Sequence, residues 1–200
     1  MPKSPSRRPY RKRRRADSEE ETRRRITEAA VELHGTVGPA NTTVTEVARV
    51  AGVSRMTVYN HFPTEVDLYT ACSTHWATAN PFPDPAGWTA ADPAERLDGA
   101  LEELYEWYGL KQGMLGNVLR DVRTVPALAE VMEGLWEGFM EGAVRTLGEG
   151  WSHTGVDAKV LHATLRLAVD FTTWQVLTES GLDDPVAAGL MARMVTGVVT

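Results

Sequence analysis

A single cysteine, Cys72, stands among the 200 residues. One thiol closes no internal disulfide and builds no cysteine-based zinc finger. There is no run of ~18 apolar residues, so no segment is suited to cross a membrane as a helix. The basic N-terminus is not followed by an apolar stretch, which speaks against a secretory signal. These absences fit a reducing, cytoplasmic setting. Catalytic patterns are missing as well: no glycine-rich phosphate loop, no G-x-S-x-G elbow and no H-E-x-x-H helix. No two of the five histidines stand four residues apart, and Cys72, His75 and His162 are scattered as metal ligands. Neither an enzyme activity nor a metal or cofactor is expected. Alternation of apolar and polar residues at strand length is absent too, and so is any internal repeat.

What is present is uneven charge. Apolar residues make up 42% of the chain and charged residues 24%, enough for a core and ordinary for a globular protein. The net charge of -6 hides a dipole. Residues 1–15 carry eight basic side chains and no acid; residues 1–70 carry 13 basic and 9 acidic ones; residues 71–200 carry 8 and 18. A basic front attracts polyanions, and an acidic remainder stays off them. Pro2, Pro5 and Pro9 among Ser and Arg predict a disordered basic arm over 1–17.

Nearly every other signal is helical. Over 18–34, Ser18 with Glu21 three residues on forms a capping-box pattern, and Ile26, Ala29, Ala30 and Leu33 share one face. Thr43 caps a short second helix over 43–50. Ser54 caps a third over 55–62, which stops before Pro63, and a fourth begins near Thr64. Residues 80–93 hold four prolines and a glycine and read as a linker. Helical stretches follow at about 92–109, 112–122, 126–148, 155–180 and 183–199, punctuated by Gly109, Gly113, Pro126, Gly148 and Gly181. The expected architecture is all-α: a basic arm over 1–17, a small unit over 18–72 and a larger bundle over 73–200.

Residues 43–62 make helix, glycine-containing turn, helix. Val58 and Phe62 point inward, and the outer face carries Arg55, Met56, Thr57, Tyr59, Asn60 and His61. Arg55 suits the guanine edge and Asn60 the adenine edge in a major groove. Thr57, Tyr59 and His61 suit phosphates. An ordinary helical hairpin with a polar face has the same spacing.

The run TTVTEVARVAGVSRMTVYNHF at 42–62 closely resembles the signature of the TetR/AcrR regulators, and TRRRITEAAVELHGTVGPA at 22–40 is similar to that family's first helix and its exit. The resemblance covers roughly residues 20–72. It implies a homodimeric, ligand-responsive regulator, by family habit a repressor, with double-stranded DNA, a second copy and a small-molecule effector as partners. It also implies that Thr43 meets phosphate, that Thr45 meets base or phosphate, that Arg55, Met56 and Asn60 stand where bases are read, and that Thr57, Tyr59 and His61 hold the backbone, with Ser54 among the DNA-binding residues. One departure is Glu65, where the family usually places a phosphate-binding lysine. The basic arm is expected to compensate along the adjacent minor groove. A sequence-neutral DNA binder working through its arm, and a helical ligand-binding protein with a vestigial DNA-binding unit, are the alternatives.

In the bundle, the stretch 156–178 is apolar nearly all round, as a helix buried on several sides is. With the last helix it is expected to form a four-helix dimer interface through Leu161, Leu165, Ala168, Val186, Leu190 and Met194. An effector pocket for a partly apolar or aromatic molecule is expected among Tyr105, Tyr108, Met114, Asn117, Arg120, Trp136, Met140, Phe171 and Trp174. Gly134, Gly138 and Gly142 share a helix face and suggest close packing or room for that ligand.

Overall fold

The computed structural model describes residues 7–151, 155 and 157–199, with side chains from residue 16 onward. The described residues contain no β-strand. The order is α1 (Arg7–Thr36), α2 (Val44–Ala51), α3 (Arg55–His61), α4 (Glu65–Ala79), α5 (Pro93–Asp121), α6 (Pro126–Met132), a π-helical turn (Glu133–Glu137), α7 (Gly138–Leu147), α8 (Ala158–Ala168), α9 (Phe171–Glu179) and α10 (Asp184–Val199).

Residues 7–17 belong to α1, which corrects the expectation of a disordered arm over 1–17 and of a helix start at Ser18. Arg and Lys are good helix formers, and Pro9 falls in the first turn, where no intrahelical N–H is needed. Residues 1–6 lie outside the described residues.

Two apolar cores organise the chain. The smaller joins Ile26, Ala29, Ala30 and Leu33 of α1 to Val47, Ala48 and Ala51 of α2, Val58 of α3, Phe62, and Leu68 and Cys72 of α4. The larger surrounds α5, whose Leu97, Leu101, Leu104, Tyr105 and Tyr108 are wholly buried against α7 to α10. Helix α4 runs across the expected boundary at residue 72: Leu68 and Cys72 belong to the first core, Tyr69 to the second.

Three helix boundaries differ from expectation. Gly109 and Gly113 do not break α5. A Cβ on Gly109 would stand 2.7 Å from Asp184 Oδ2, so this glycine admits α10 rather than ending a helix. The stretch 126–148 widens into the π-helical turn at Glu133–Glu137. The stretch 155–180 is two helices, because Asp170 caps α9 by accepting from Thr172 N at 2.8 Å. The carbonyls left free at that break are taken up from α5: Tyr105 Oη donates to Ala168 O at 2.8 Å and Tyr108 Oη to Val169 O at 2.6 Å.

Gly134 and Gly138 have open space where a Cβ would stand, and Gly142 has only the far end of Arg145 at 3.9 Å. No neighbouring helix packs against them, so they are not close-packing positions.

Candidate nucleic-acid interface and ligand cavity

Helix α3 is seven residues long, too short to hold itself in water. It is held from both ends and from below. Ser54 Oγ accepts from Thr57 N at 3.0 Å, and Thr43 Oγ1 accepts from Glu46 N at 3.2 Å at the start of α2. Gly52, at φ 65°, makes the left-handed turn between the two helices. Helix α1 clamps the pair. Arg23 Nη1 donates to His61 O at 2.7 Å while its guanidinium lies 4.1 Å above the Phe62 ring. Arg25 donates to Ala51 O. Val58 and Phe62 anchor α3 below, at 1% and 2% exposure, each burial being worth ~1.5–3 kcal/mol.

This leaves one face of α3 outward. Thr43, Thr45, Ser54, Arg55, Met56, Tyr59 and Asn60 are exposed, and Thr57 and His61 half-buried. Met56 is 66% exposed and Tyr59 44%. Seven of the nine expected residues are thus open to solvent at the α2–α3 unit. Glu65 is exposed at the start of α4, where Thr64 and Asp67 form a reciprocal capping box. Sequence reasoning missed the two clamps, Arg23 and Arg25. In the run RRR they read only as charge; nothing local marks which arginine turns toward the protein.

The junction between the two cores holds a second feature. Asp121, at the end of α5 and 4% exposed, accepts from Ala40 N at 2.9 Å and from Arg120 Nε at 2.7 Å. The Arg120 guanidinium holds its carboxyl below the usual range. Asn117 Nδ2 donates to the His34 and Gly35 carbonyls at 3.1 and 3.0 Å, satisfying the end of α1. Beside this contact lies an apolar cavity of about 40 Å³. Its walls are Val31 and His34 of α1; Tyr69, Cys72, Ser73 and Trp76 of α4; Phe82 of the linker; Met114, Leu115 and Val118 of α5; and Leu128, Met132, Leu135 and Trp136 beyond. His34 is stacked on Tyr69 with ring centroids 5.3 Å apart. Burial lowers its pKa to about 4, so it is neutral near pH 7. Burial also pushes the Cys72 thiol up to about 12, which makes it an inert core group. Cys72 is buried while His75 and His162 are exposed, and the described residues hold no cluster of three metal-ligating side chains.

Of the nine residues expected in an effector pocket, only Met114 and Trp136 line this cavity. Tyr105 and Tyr108 are spent on the α8–α9 break. Met140 is packed in the core, its sulfur 3.9 Å from Tyr108 Oη. Trp174 Nε1 donates to Asp184 Oδ1 at 2.8 Å. Asn117, Arg120 and Phe171 border an open groove of about 630 Å³ between α5 and α9. The expected dimer residues also divide. Leu161, Leu165 and Ala168 are buried within their own subunit, which corrects that expectation, because α8 turns them onto the core. Val186 and Met194 are exposed and Leu190 half-buried. Val160, Leu167, Val176 and Val198 extend the exposed apolar surface.

A sequence profile described as "Bacterial regulatory proteins, tetR family" matches residues 26–72. No curated protein sequence matches the chain. Among solved structures, NalD of Pseudomonas aeruginosa, described as the secondary repressor of the MexAB-OprM multidrug efflux pump, is 20% identical with a TM-score of 0.63, over 90% of this chain and 96% of that one. A transcriptional regulator from Rhodococcus sp. is 20% identical with a TM-score of 0.61, over 88% and 95%. A TetR transcription regulator from Haloarcula marismortui is 16% identical with a TM-score of 0.60, over 90% and 97%. Residues 26–72 match the profile of the bacterial tetR regulatory proteins, and the chain shares its fold with these solved regulators.

Proposed function

We propose that the chain is a ligand-responsive transcriptional repressor that binds a palindromic operator as a homodimer and is released by a small-molecule effector. The observation that carries this reading is the outer face of α3, where Arg55, Met56, Tyr59 and Asn60 stand exposed on a helix fixed at both ends. Arg55 addresses guanine and Asn60 adenine. Thr43, Thr45, Thr57 and His61 take phosphates, setting register rather than sequence. Glu65 repels phosphate, so the eight basic residues within 1–15 supply the missing attraction. Repression is taken by analogy with NalD.

The second copy is expected on the row Val160, Leu167, Val176, Val186, Met194 and Val198, which are 44–61% exposed in one subunit. A two-fold axis there sets half-sites about one DNA turn, ~34–36 Å, apart. The effector works by population shift: it must prefer the spread dimer by several kcal/mol, on the order of 5 for near-complete release.

Footprinting of the purified protein on the DNA flanking its own gene, at ~0.15 M salt with excess competitor, tests the reading. A protected palindrome, lost in Arg55→Ala, is the expected result. Coverage without edges that disappears when residues 2–15 are deleted overturns it in favour of a sequence-neutral binder, which the charge of that segment would support.

A further inference from the structure

We infer that the junction cavity is the effector site and that its ligand is an uncharged, planar aromatic molecule of one or two rings, which takes the place of the Phe82 ring and hydrogen-bonds His34. The inference rests on the reading of the chain as an effector-responsive regulator and gives that effector a chemistry.

Charge is excluded by the walls. No Asp, Glu, Lys or Arg lines the cavity, and the polar groups of its lining residues are the His34 ring, the Tyr69 and Ser73 hydroxyls, the Cys72 thiol and the Trp76 and Trp136 indole N–H groups. A charged guest would shed its hydration shell without gaining a counter-ion. A polar contact is nevertheless on offer. His34 is 5% exposed, and among the described residues no hydrogen bond engages its ring. A guest's hydroxyl or N–H can hydrogen-bond this unengaged ring.

Size identifies what the guest displaces. A cavity of about 40 Å³ has room for a water or two, whereas a dry cavity that takes benzene measures ~150 Å³. A ring enters only if a wall withdraws. Every other lining residue is carried by a helical element, but Phe82 sits in the linker Asn80–Asp92. Among the described residues no hydrogen bond involves the backbone of Pro81, Phe82 or Pro83. The linker is tied on either side of them, by Asn80 Nδ2 donating to Trp76 O at 2.9 Å and by Trp88 Nε1 donating to Glu103 Oε2 at 2.7 Å. Phe82 is held by side-chain packing, with ring centroids 5.0 Å from Phe139, 5.2 Å from Trp107 and 6.1 Å from Trp136, and by the burial of the adjacent Pro83. A flat aromatic guest makes the same contacts. Trp136 is carried by the π-helical turn, a distortion frequent at functional sites.

The same position couples the cavity to α3. Cys72 lines it and also belongs to the N-terminal core with Val58 and Phe62, and His34 follows Leu33 of that core. A guest that parts α1 and α4 from α5 and α6 therefore tilts the platform under α3.

The test is calorimetric titration of the full-length protein with α-naphthol, neutral at pH 7, and with α-naphthoate, the same ring system bearing a carboxylate. Saturable binding of α-naphthol and binding of α-naphthoate weaker by roughly tenfold or more are expected. Phe82→Ala should tighten α-naphthol by roughly tenfold, because the protein's own ring no longer competes. His34→Phe should weaken it by about as much. Equal affinity for the two probes overturns the inference, and so does a Phe82→Ala variant that binds α-naphthol no better than wild type. Footprinting on the same preparation separates this inference from the reading it rests on. A protected operator with no α-naphthol binding defeats the ligand assignment and leaves the regulator intact. Selective α-naphthol binding with no protected operator sustains the cavity and defeats the regulator.

Discussion

Replacing Asp121 with alanine tests whether the two cores are locked together at the end of α5. The carboxylate is 4% exposed and accepts from Ala40 N at 2.9 Å, across the junction, and from Arg120 Nε and Nη2 at 2.7 and 3.1 Å. Alanine removes a charge-assisted bond, ~1.5–3 kcal/mol, and strands the Ala40 N–H, a cost that brings the total to ~2–4 kcal/mol. At ~2–4 °C per kcal/mol for a chain of this size, Tm should fall by on the order of 5–15 °C. Arg120→Ala is the control. That side chain is 55% exposed, and its loss should cost under ~1 kcal/mol. Scanning calorimetry at one fixed protein concentration reads both, since Tm of a dimer depends on concentration. The sign of the pH effect follows from the lowered pKa of Asp121. Its stabilisation is complete above the unfolded carboxylate value of ~3.9 and fades as pH falls toward the lower folded value, so the Asp121→Ala deficit narrows below pH ~4. A loss under ~0.5 kcal/mol, or one smaller than that of Arg120→Ala, would refute the lock.

Further outcomes follow from the same geometry. His34 titrates at about 4 when folded, against ~6.5 unfolded. The unfolded chain takes up the proton first, so stability falls by on the order of 3 kcal/mol between pH ~6.5 and ~4. Urea denaturation at several pH values should show that slope flattened in His34→Phe; an unchanged slope places its origin elsewhere. Ser54→Ala removes the acceptor of Thr57 N and should cost ~1 kcal/mol of stability; denaturant unfolding that detects no loss shows the cap to be idle. Met194→Glu puts a charge on the exposed apolar row of α10, where Met194 is 54% exposed. Sedimentation should show the dimer dissociating at concentrations where wild type stays paired, and an unaltered dimer moves the interface to another face.

Local chemistry made the DNA-facing unit legible in the sequence. Thr43, Ser54 and Thr64 each cap the helix that follows, and each accepts the backbone N–H three residues on. These signals act within one turn, so they can be read without knowing the fold. The inward face of α1, with Ile26, Ala29, Ala30 and Leu33 all buried, follows from helical period alone. Over 7–17 the same local reading failed, because helix propensity outweighed Pro9, which fell in a first turn.

The bundle was harder because its residues take their roles from partners far along the chain. Tyr105 and Tyr108 look like pocket lining, yet they cap a helix break 63 and 61 residues away. Asp121 has no distinguishing neighbour in sequence, and its partner Ala40 lies 81 residues upstream. Leu161, Leu165 and Ala168 share one apolar composition with Val160 and Leu167, and only the packing of α8 sends the first three inward and the other two to the surface. The sequence by itself determined that the chain is helical, where α2, α3 and α4 begin and which short helix presents a polar face. Tertiary structure alone decided which aromatic rings are core and which surround a cavity, because burial and long-range hydrogen bonds depend on what is brought opposite, and no local pattern encodes that.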